Sequence, residues 1–163
     1  FVEAKKKTEE EISKLMKVDG SLAVDEVHRE LGKIVWDKVG MARNEKGLKN
    51  ALEEIPKIKQ KFWSQISIPG NDKDVNQELE KALRVKDFIE LAELMAYDAL
   101  DRKESCGAHF REEYQTKEGE ALRDDDDYRF VSAWEYNPVI EFSKLHKEHL
   151  NFENVELKSR SYK

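Results

Sequence analysis

Cys106 and His109 are the residues of this sequence best placed to do chemistry, because a cysteine close to a histidine can form a nucleophilic thiolate. Ser105 and Arg111 stand beside them. Gly107 separates the pair, and no neighbouring Asn or Asp is evident to orient the imidazole. The segment therefore reads as a structured helix terminus, with His109 and Arg111 bonding backbone carbonyls or a neighbouring domain. His146 and His149 have the spacing to share a zinc ion on a helix turn. A structural zinc site takes four ligands, however, and the only sulfur, Cys106, is distant in sequence. The acids Asp124–Asp127 match a calcium loop in charge alone. They lack the glycine and the closing glutamate of an EF-hand, so a solvated loop is expected. No G-x-G-x-x-G and no phosphate loop is present. From these residues the expectation is no catalytic centre, no cofactor site and no metal site.

The composition narrows the class. The chain has 163 residues, and its net charge is −6. Charged residues make up 39% of it, above the usual quarter or so. Lys5, Lys6 and Lys7 are answered at once by Glu9, Glu10 and Glu11, as in helix pairing at four-residue spacing. That is not a phosphate track, so no nucleic-acid partner is expected. No stretch approaches the twenty or so apolar residues of a membrane span, and no signal peptide is seen. One cysteine excludes an internal disulfide and fits a reducing, cytoplasmic compartment. The first residue is Phe1, as in a piece cut from something longer or in a processed chain.

Helices must position whatever these residues do. Thr8 and Glu11 fit a capping box for a short helix near 8–18, with Ile12, Leu15 and Met16 on one face. The apolar period predicts helices near 24–42, 45–66 and 74–103. Asn44 caps the second of these, and Pro56 should kink or split it. Asp74 with Gln77 starts the third, whose apolar face runs from Val75 through Leu79, Ala82, Leu83, Ile89, Ala92, Met95 and Ala96 to Ala99. Gly107 would turn the chain just past its end. Such stripes hide best against one another, which predicts an antiparallel three-helix bundle over residues 1–112. Residues 113–163 form an irregular tail packing on the bundle. Phe130, Ser132, Trp134 and Tyr136 alternate on one side of a strand, Asn137-Pro138 turns the chain, and 155–160 is another candidate strand. Trp36, Trp63 and Trp134 are expected as core or interface anchors.

The run from Ala99 to Arg111, with Arg102-Lys103-Glu104-Ser105-Cys106-Gly107-Ala108-His109 at its heart, resembles a family signature. It is similar to the Arg-Lys-Glu-Ser-Arg-Gly-Ala-His-x-Arg segment of succinate dehydrogenase and fumarate reductase flavoprotein subunits. The helix start at Gly47-Leu48, the long helix from Asn76 to Ala99, and the tail at 131–136 and 160–163 resemble the bacterial branch. One departure stands out: Cys106 replaces the commonest Arg and cannot supply a guanidinium fork.

The resemblance implies a mainly α, non-catalytic C-terminal domain. In such proteins FAD sits in a large N-terminal domain of the same polypeptide, and the dicarboxylate site lies between that domain and a capping domain. None of those residues carries over. The parent would pass electrons from succinate through FAD to an iron–sulfur subunit, above a membrane anchor on the cytoplasmic face of the inner membrane. Glu104, Ser105, Cys106, Gly107, His109 and Arg111 are the motif's interdomain candidates. Parting from a flavin domain should leave apolar groups bare beside them and along Phe130, Trp134 and Tyr136. The alternatives are an independent helical adaptor with an exposed apolar stripe, a small Cys/His enzyme, and the equivalent domain of a related flavoprotein such as aspartate oxidase.

Overall fold

Four stretches repeat apolar side chains at helical spacing, and all four are helices in the computed structural model, which describes residues 1–136 and 144–158. In chain order the elements are α1 (Val2–Met16), β1 (Leu22–Ala23), α2 (Val24–Val39), β2 (Ala42–Arg43), α3 (Glu45–Gln65), β3 (Ile66–Ser67), α4 (Gln77–Asp101), β4 (Phe110–Arg111), β5 (Phe130–Glu135) and β6 (Lys144–His149). Helix makes up 51% of the described residues, well above the ordinary share of roughly a third. The fold is mainly α with a strand-bearing tail. Contacts divide it into two units, Phe1–Leu100 and Asp101–Lys163, where the sequence pattern suggested a boundary at 112.

The first unit is built on α2, α3 and α4. Val27 and Leu31 of α2, Leu48, Ile55 and Phe62 of α3, and Ala82, Ile89 and Ala96 of α4 share one core. Helix α1 adds Leu15 from its last turn, so a fourth helix joins the expected three. Ion pairs Glu30–Lys61 and Lys38–Glu54 run α2 and α3 antiparallel. Lys81 meets Asp25, and Phe88 meets the His28 ring at 5.6 Å, so α4 lies along α2 in the same sense. Four alanines (Ala82, Ala92, Ala96 and Ala99) are buried on the inner face of α4.

Several helix ends differ from the sequence reading. Helix α1 begins at Val2, so Thr8 is interior, and its hydroxyl donates to the Ala4 carbonyl at 3.1 Å instead of capping. Asn44 does cap α3, accepting from Gly47 N at 2.8 Å. Pro56 sits inside α3 without splitting it. For α4 the cap is Asn76, which accepts from Leu79 N at 3.1 Å. Asp74 is held outside the helix because Asn71 Oδ1 accepts from its amide and from that of Lys73. Val75, read as the start of the apolar face, is therefore exposed before the helix begins, while Val85 is buried inside it.

Gly20 lets two strands meet. Its amide donates to the Ile66 carbonyl at 3.2 Å, and β1 then pairs in parallel with β3, Leu22 opposite Ile66. A Cβ on Gly20 would lie 1.9 Å from the Gln65 carbonyl oxygen. In the tail, β5 and β6 form an antiparallel ribbon with Phe130 opposite His149 and Trp134 opposite Leu145. Residues 155–158 form no strand; 159–163 and the Asn137-Pro138 turn lie outside the described residues.

Two predictions follow from this packing. Gly20→Ala should cost about 1–3 kcal/mol in urea unfolding, because the added methyl meets backbone that cannot swing away. An unchanged midpoint would show that the β1–β3 approach is not what the structure indicates. Lys86 of α4 pairs with Glu11 of α1. Desolvation lowers the Lys86 pKa, but its hydrogen bonds to Glu11 and Asp87 outweigh that and leave it above 10.5. This tie is whole below pH 10.5 and fades as the pH rises through the higher folded value. Protease cleavage within α1 should accordingly accelerate in strong alkali in the wild type, and much less in Glu11→Gln.

Candidate functional site

The signature run folds as a closed hairpin just after α4. Cys106 and His109 pair, with the Cys106 amide donating to the His109 carbonyl at 2.8 Å and the reverse bond at 3.0 Å. Gly107 and Ala108 are the two loop residues. Gly107 has φ +58°, and among the described residues no non-glycine has positive φ. A two-residue loop with a positive φ at its first position only is a type II′ turn, and glycine is the residue that adopts it without strain. The sequence reading made this segment a helix terminus. Helix α4 stops instead at Asp101, because the amides that follow are taken elsewhere: Ser105 N donates to the Leu122 carbonyl at 2.8 Å.

Ser105 closes the base of the hairpin. Its buried hydroxyl accepts from Arg111 N at 2.8 Å and donates to the Arg111 carbonyl at 3.1 Å. The Arg102 carbonyl, exposed by the end of α4, receives two side chains. His109 Nε2 lies 3.0 Å from it and Arg111 Nη1 donates at 3.5 Å. A carbonyl can only accept, so His109 carries a proton on Nε2. That nitrogen is a donor to structure and is not available as a base toward Cys106. The cysteine is exposed at the hairpin. Arg111 is buried, donates to Glu113 at 3.1 Å and stacks over Tyr114.

Arg102 organises the rest of this unit, and sequence reasoning passed over it. It pairs with Glu104, which is only 3% exposed. It also donates to the Tyr128 carbonyl at 3.0 Å and to the Phe130 carbonyl at 2.8 Å. Its guanidinium lies 4.7 Å from the Phe130 ring centroid, a cation–π distance. The second oxygen of Glu104 accepts from Asp124 N at 2.9 Å. The place of Arg102 in the signature run, two residues before Glu104, was the available signal.

The remaining candidates do not assemble a site. Asp124 Oδ1 accepts from Asp127 N at 3.1 Å and Asp125 pairs with Arg123, so the acidic run is a local turn. His146 and His149 lie on β6, not on a helix. Three residues apart on a strand, they point to opposite faces and cannot share a metal ion. His146 bonds Glu135 at 2.6 Å instead. No group of three or more His, Cys, Asp or Glu among the described residues is placed to hold a metal. Phe130, expected as bare surface, is buried beneath Arg102 and Lys147, while Tyr136 is exposed.

The comparisons with known proteins accord with this hairpin and bundle. Residues 28–162 match the family model described as fumarate reductase flavoprotein C-term. The chain belongs to that family. An uncharacterized FAD-dependent oxidoreductase of Methanocaldococcus jannaschii is 32% identical over 149 residues, which is 88% of this chain and 24% of that protein. The fumarate reductase flavoprotein subunit of Helicobacter pylori is 30% identical over 131 residues, covering 80% of this chain and 18% of that one. A solved E. coli quinol fumarate reductase chain superposes with a TM-score of 0.80 at 21% identity, over 96% of this chain and 26% of its own. The chain thus spans about a quarter or less of the length of these relatives.

In this flavoprotein C-terminal domain the Arg102–Glu104 pair should be testable by substitution. Arg102→Met would strand a buried carboxylate and should cost about 3 kcal/mol or more in unfolding. Arg102→Lys should recover part of that, because an ammonium pairs with Glu104 but lacks a planar fork to reach the other two acceptors. Equal stability of all three proteins would remove Arg102 from its central position.

Proposed function

We propose that this chain is the non-catalytic C-terminal portion of a succinate dehydrogenase or fumarate reductase flavoprotein subunit. In that role it braces a flavin-binding domain lying elsewhere in the same polypeptide and contributes to subunit contacts. The reading rests on the family match over residues 28–162, and the geometry of the hairpin supports it. The hydrogen bonds of Ser105 and His109 go to backbone, and those of Arg111 go to the Arg102 carbonyl and the Glu113 carboxylate, as suits a structural clip.

The parent would interconvert succinate and fumarate, with electrons passing through FAD to an iron–sulfur subunit set above a membrane anchor. The residues of this chain do not fit FAD. A dinucleotide's pyrophosphate takes a glycine-rich turn running from a strand into a helix N-terminus. Here α2 opens from Ala23 and α3 from Asn44, whose side chain already occupies the Gly47 amide. Helix α4 opens from Asn76. The flavin would therefore be held by the rest of the subunit. The membrane contact would likewise belong to other subunits: no helix among the described residues is long and apolar enough to cross a membrane.

A helical adaptor is the second reading, and one observation favours it. Phe88, Leu91 and Met95 form an exposed apolar stripe on α4, which is what an adaptor requires. The two readings differ in what covers that stripe.

The purified chain should be colourless, retain no flavin and leave succinate unoxidised. Stable flavin absorbance copurifying with this chain alone would defeat the proposal. A succinate-dependent dye reduction by the chain alone would do the same.

A further inference from the structure

Asp19-Gly20 is the one place in the sequence where an Asp or an Asn precedes a glycine. Packing requires that glycine, since a Cβ there would lie 1.9 Å from the Gln65 carbonyl oxygen. The same missing side chain removes the hindrance that ordinarily keeps a backbone amide from attacking the carboxyl of the residue before it. Asp19 is exposed, and its side chain has no hydrogen bond or ion pair among the described residues. No partner therefore holds the carboxyl away from the Gly20 nitrogen. The backbone alone decides whether the two meet.

We infer that Asp19 is a site of spontaneous isoaspartate formation, and that the joint between Gly20 and β3 holds it shut in the folded chain. In the reaction the Gly20 nitrogen bonds the side-chain carbonyl carbon of Asp19, and the amide hydrogen and the carboxyl hydroxyl leave together as water. Water then reopens the cyclic imide at either of its carbonyls. Opening at the side-chain carbonyl restores aspartate. Opening at the main-chain carbonyl leaves the backbone running through the Asp19 Cβ, which is isoaspartate of unchanged mass. Ring closure needs a Gly20 nitrogen released from its acceptor and a rotation about the Asp19 Cα–C bond. The fold blocks both. The Gly20 amide donates to the Ile66 carbonyl at 3.2 Å. Val18 before the pair and Leu22 after it pack against the core, and Leu22 stands opposite Ile66 in the β1–β3 ladder. Asp19, Gly20 and Ser21 cannot turn between those anchors unless one lets go. The reaction therefore runs through the fraction of molecules in which β1 has parted from β3. Its product adds one backbone atom between α1 and β1, which displaces Gly20 from Ile66 and loosens the attachment of α1.

The test is peptide mapping with electron-transfer fragmentation, which tells the two isomers apart at each aspartate. The chain is aged at neutral pH, folded in one arm and unfolded in urea in the other. Isoaspartate should accumulate at position 19 about tenfold faster, or more, in urea than in the folded chain. In urea it should also outpace every other aspartate. Leu22→Ala weakens the β1 contact and should raise the folded-state rate several-fold with the far-UV spectrum unchanged. Asp19→Asn supplies a second readout that leaves the packing alone, because position 19 is exposed. Its ring closure expels ammonia, so each event reads as a mass gain in the intact chain, and that gain should be slowed by folding to the same degree. Equal rates at position 19 in the folded and unfolded arms, for Asp and for Asn, would overturn the lock. No preference for position 19 in urea would overturn the site. A Leu22→Ala chain that stays folded and reacts no faster than the wild type would also overturn the inference, since the β1–β3 contact would then not be what restrains Gly20.

Discussion

The ion pair between Arg102 and Glu104 decides what can follow α4. Among the described residues after Asp101, the buried side chains are Glu104, Ser105, Arg111 and Phe130, three polar to one apolar. Such an interior gains little from the hydrophobic effect and depends on every polar group finding a partner. Each does. Glu104 takes Arg102 on one oxygen and the Asp124 amide on the other, and no buried side-chain nitrogen or oxygen among the described residues is left without a hydrogen bond. Arg102 then reaches the carbonyls at 128 and 130 and covers the Phe130 ring. A polar interior of this kind tolerates few alternative arrangements, because a wrong one leaves a charge unpaired. The signature run is therefore a specification of shape. Its histidine bonds a carbonyl, and its arginines bond both carbonyls and carboxylates.

How much of this was readable follows from how local each determinant is. The helices rest on apolar periodicity, a property of neighbouring residues, and their existence was plain. Their ends were less so. Asn44 declared itself as a cap, but Asp74 and Thr8 also look like caps, and only the side chain of Asn71 and the length of α1 disqualify them. The hairpin at 105–111 was hidden because Arg102-Lys103-Glu104 continues a helix-forming pattern. What stops it is the carbonyl of Leu122, which no local pattern reveals. Strand β6 was missed for a related reason. Lys144-Leu145-His146-Lys147-Glu148-His149 has one apolar residue, and its pairing with β5 supplies the order that its own composition lacks. The family signature was legible because it is a run of residue types, and so was the bonding of His109 and Arg111 to backbone carbonyls; which carbonyl they share, that of Arg102, became visible only with the structure.

Helix α4 places its large and small apolar residues in an unusual way. Its inner face holds Ala82, Ala92, Ala96 and Ala99 beside Val85 and Ile89, while Phe88, Leu91 and Met95 stand outside. Burying a large apolar side chain contributes roughly 1.5–3 kcal/mol, so a helix serving only its own bundle would gain by turning those three inward. Turning the helix to bury those three would swing Val85 and Ile89, now at most 2% exposed, toward solvent. The sequence pattern puts Met95 on the same face as the alanines and leaves Phe88 and Leu91 off it. Their division follows from packing. The small side chains are buried inside the bundle and the larger ones lie on its outside. Trp36 of α2 is exposed as well, so the large apolar side chains of these two helices are not all spent on the core they share.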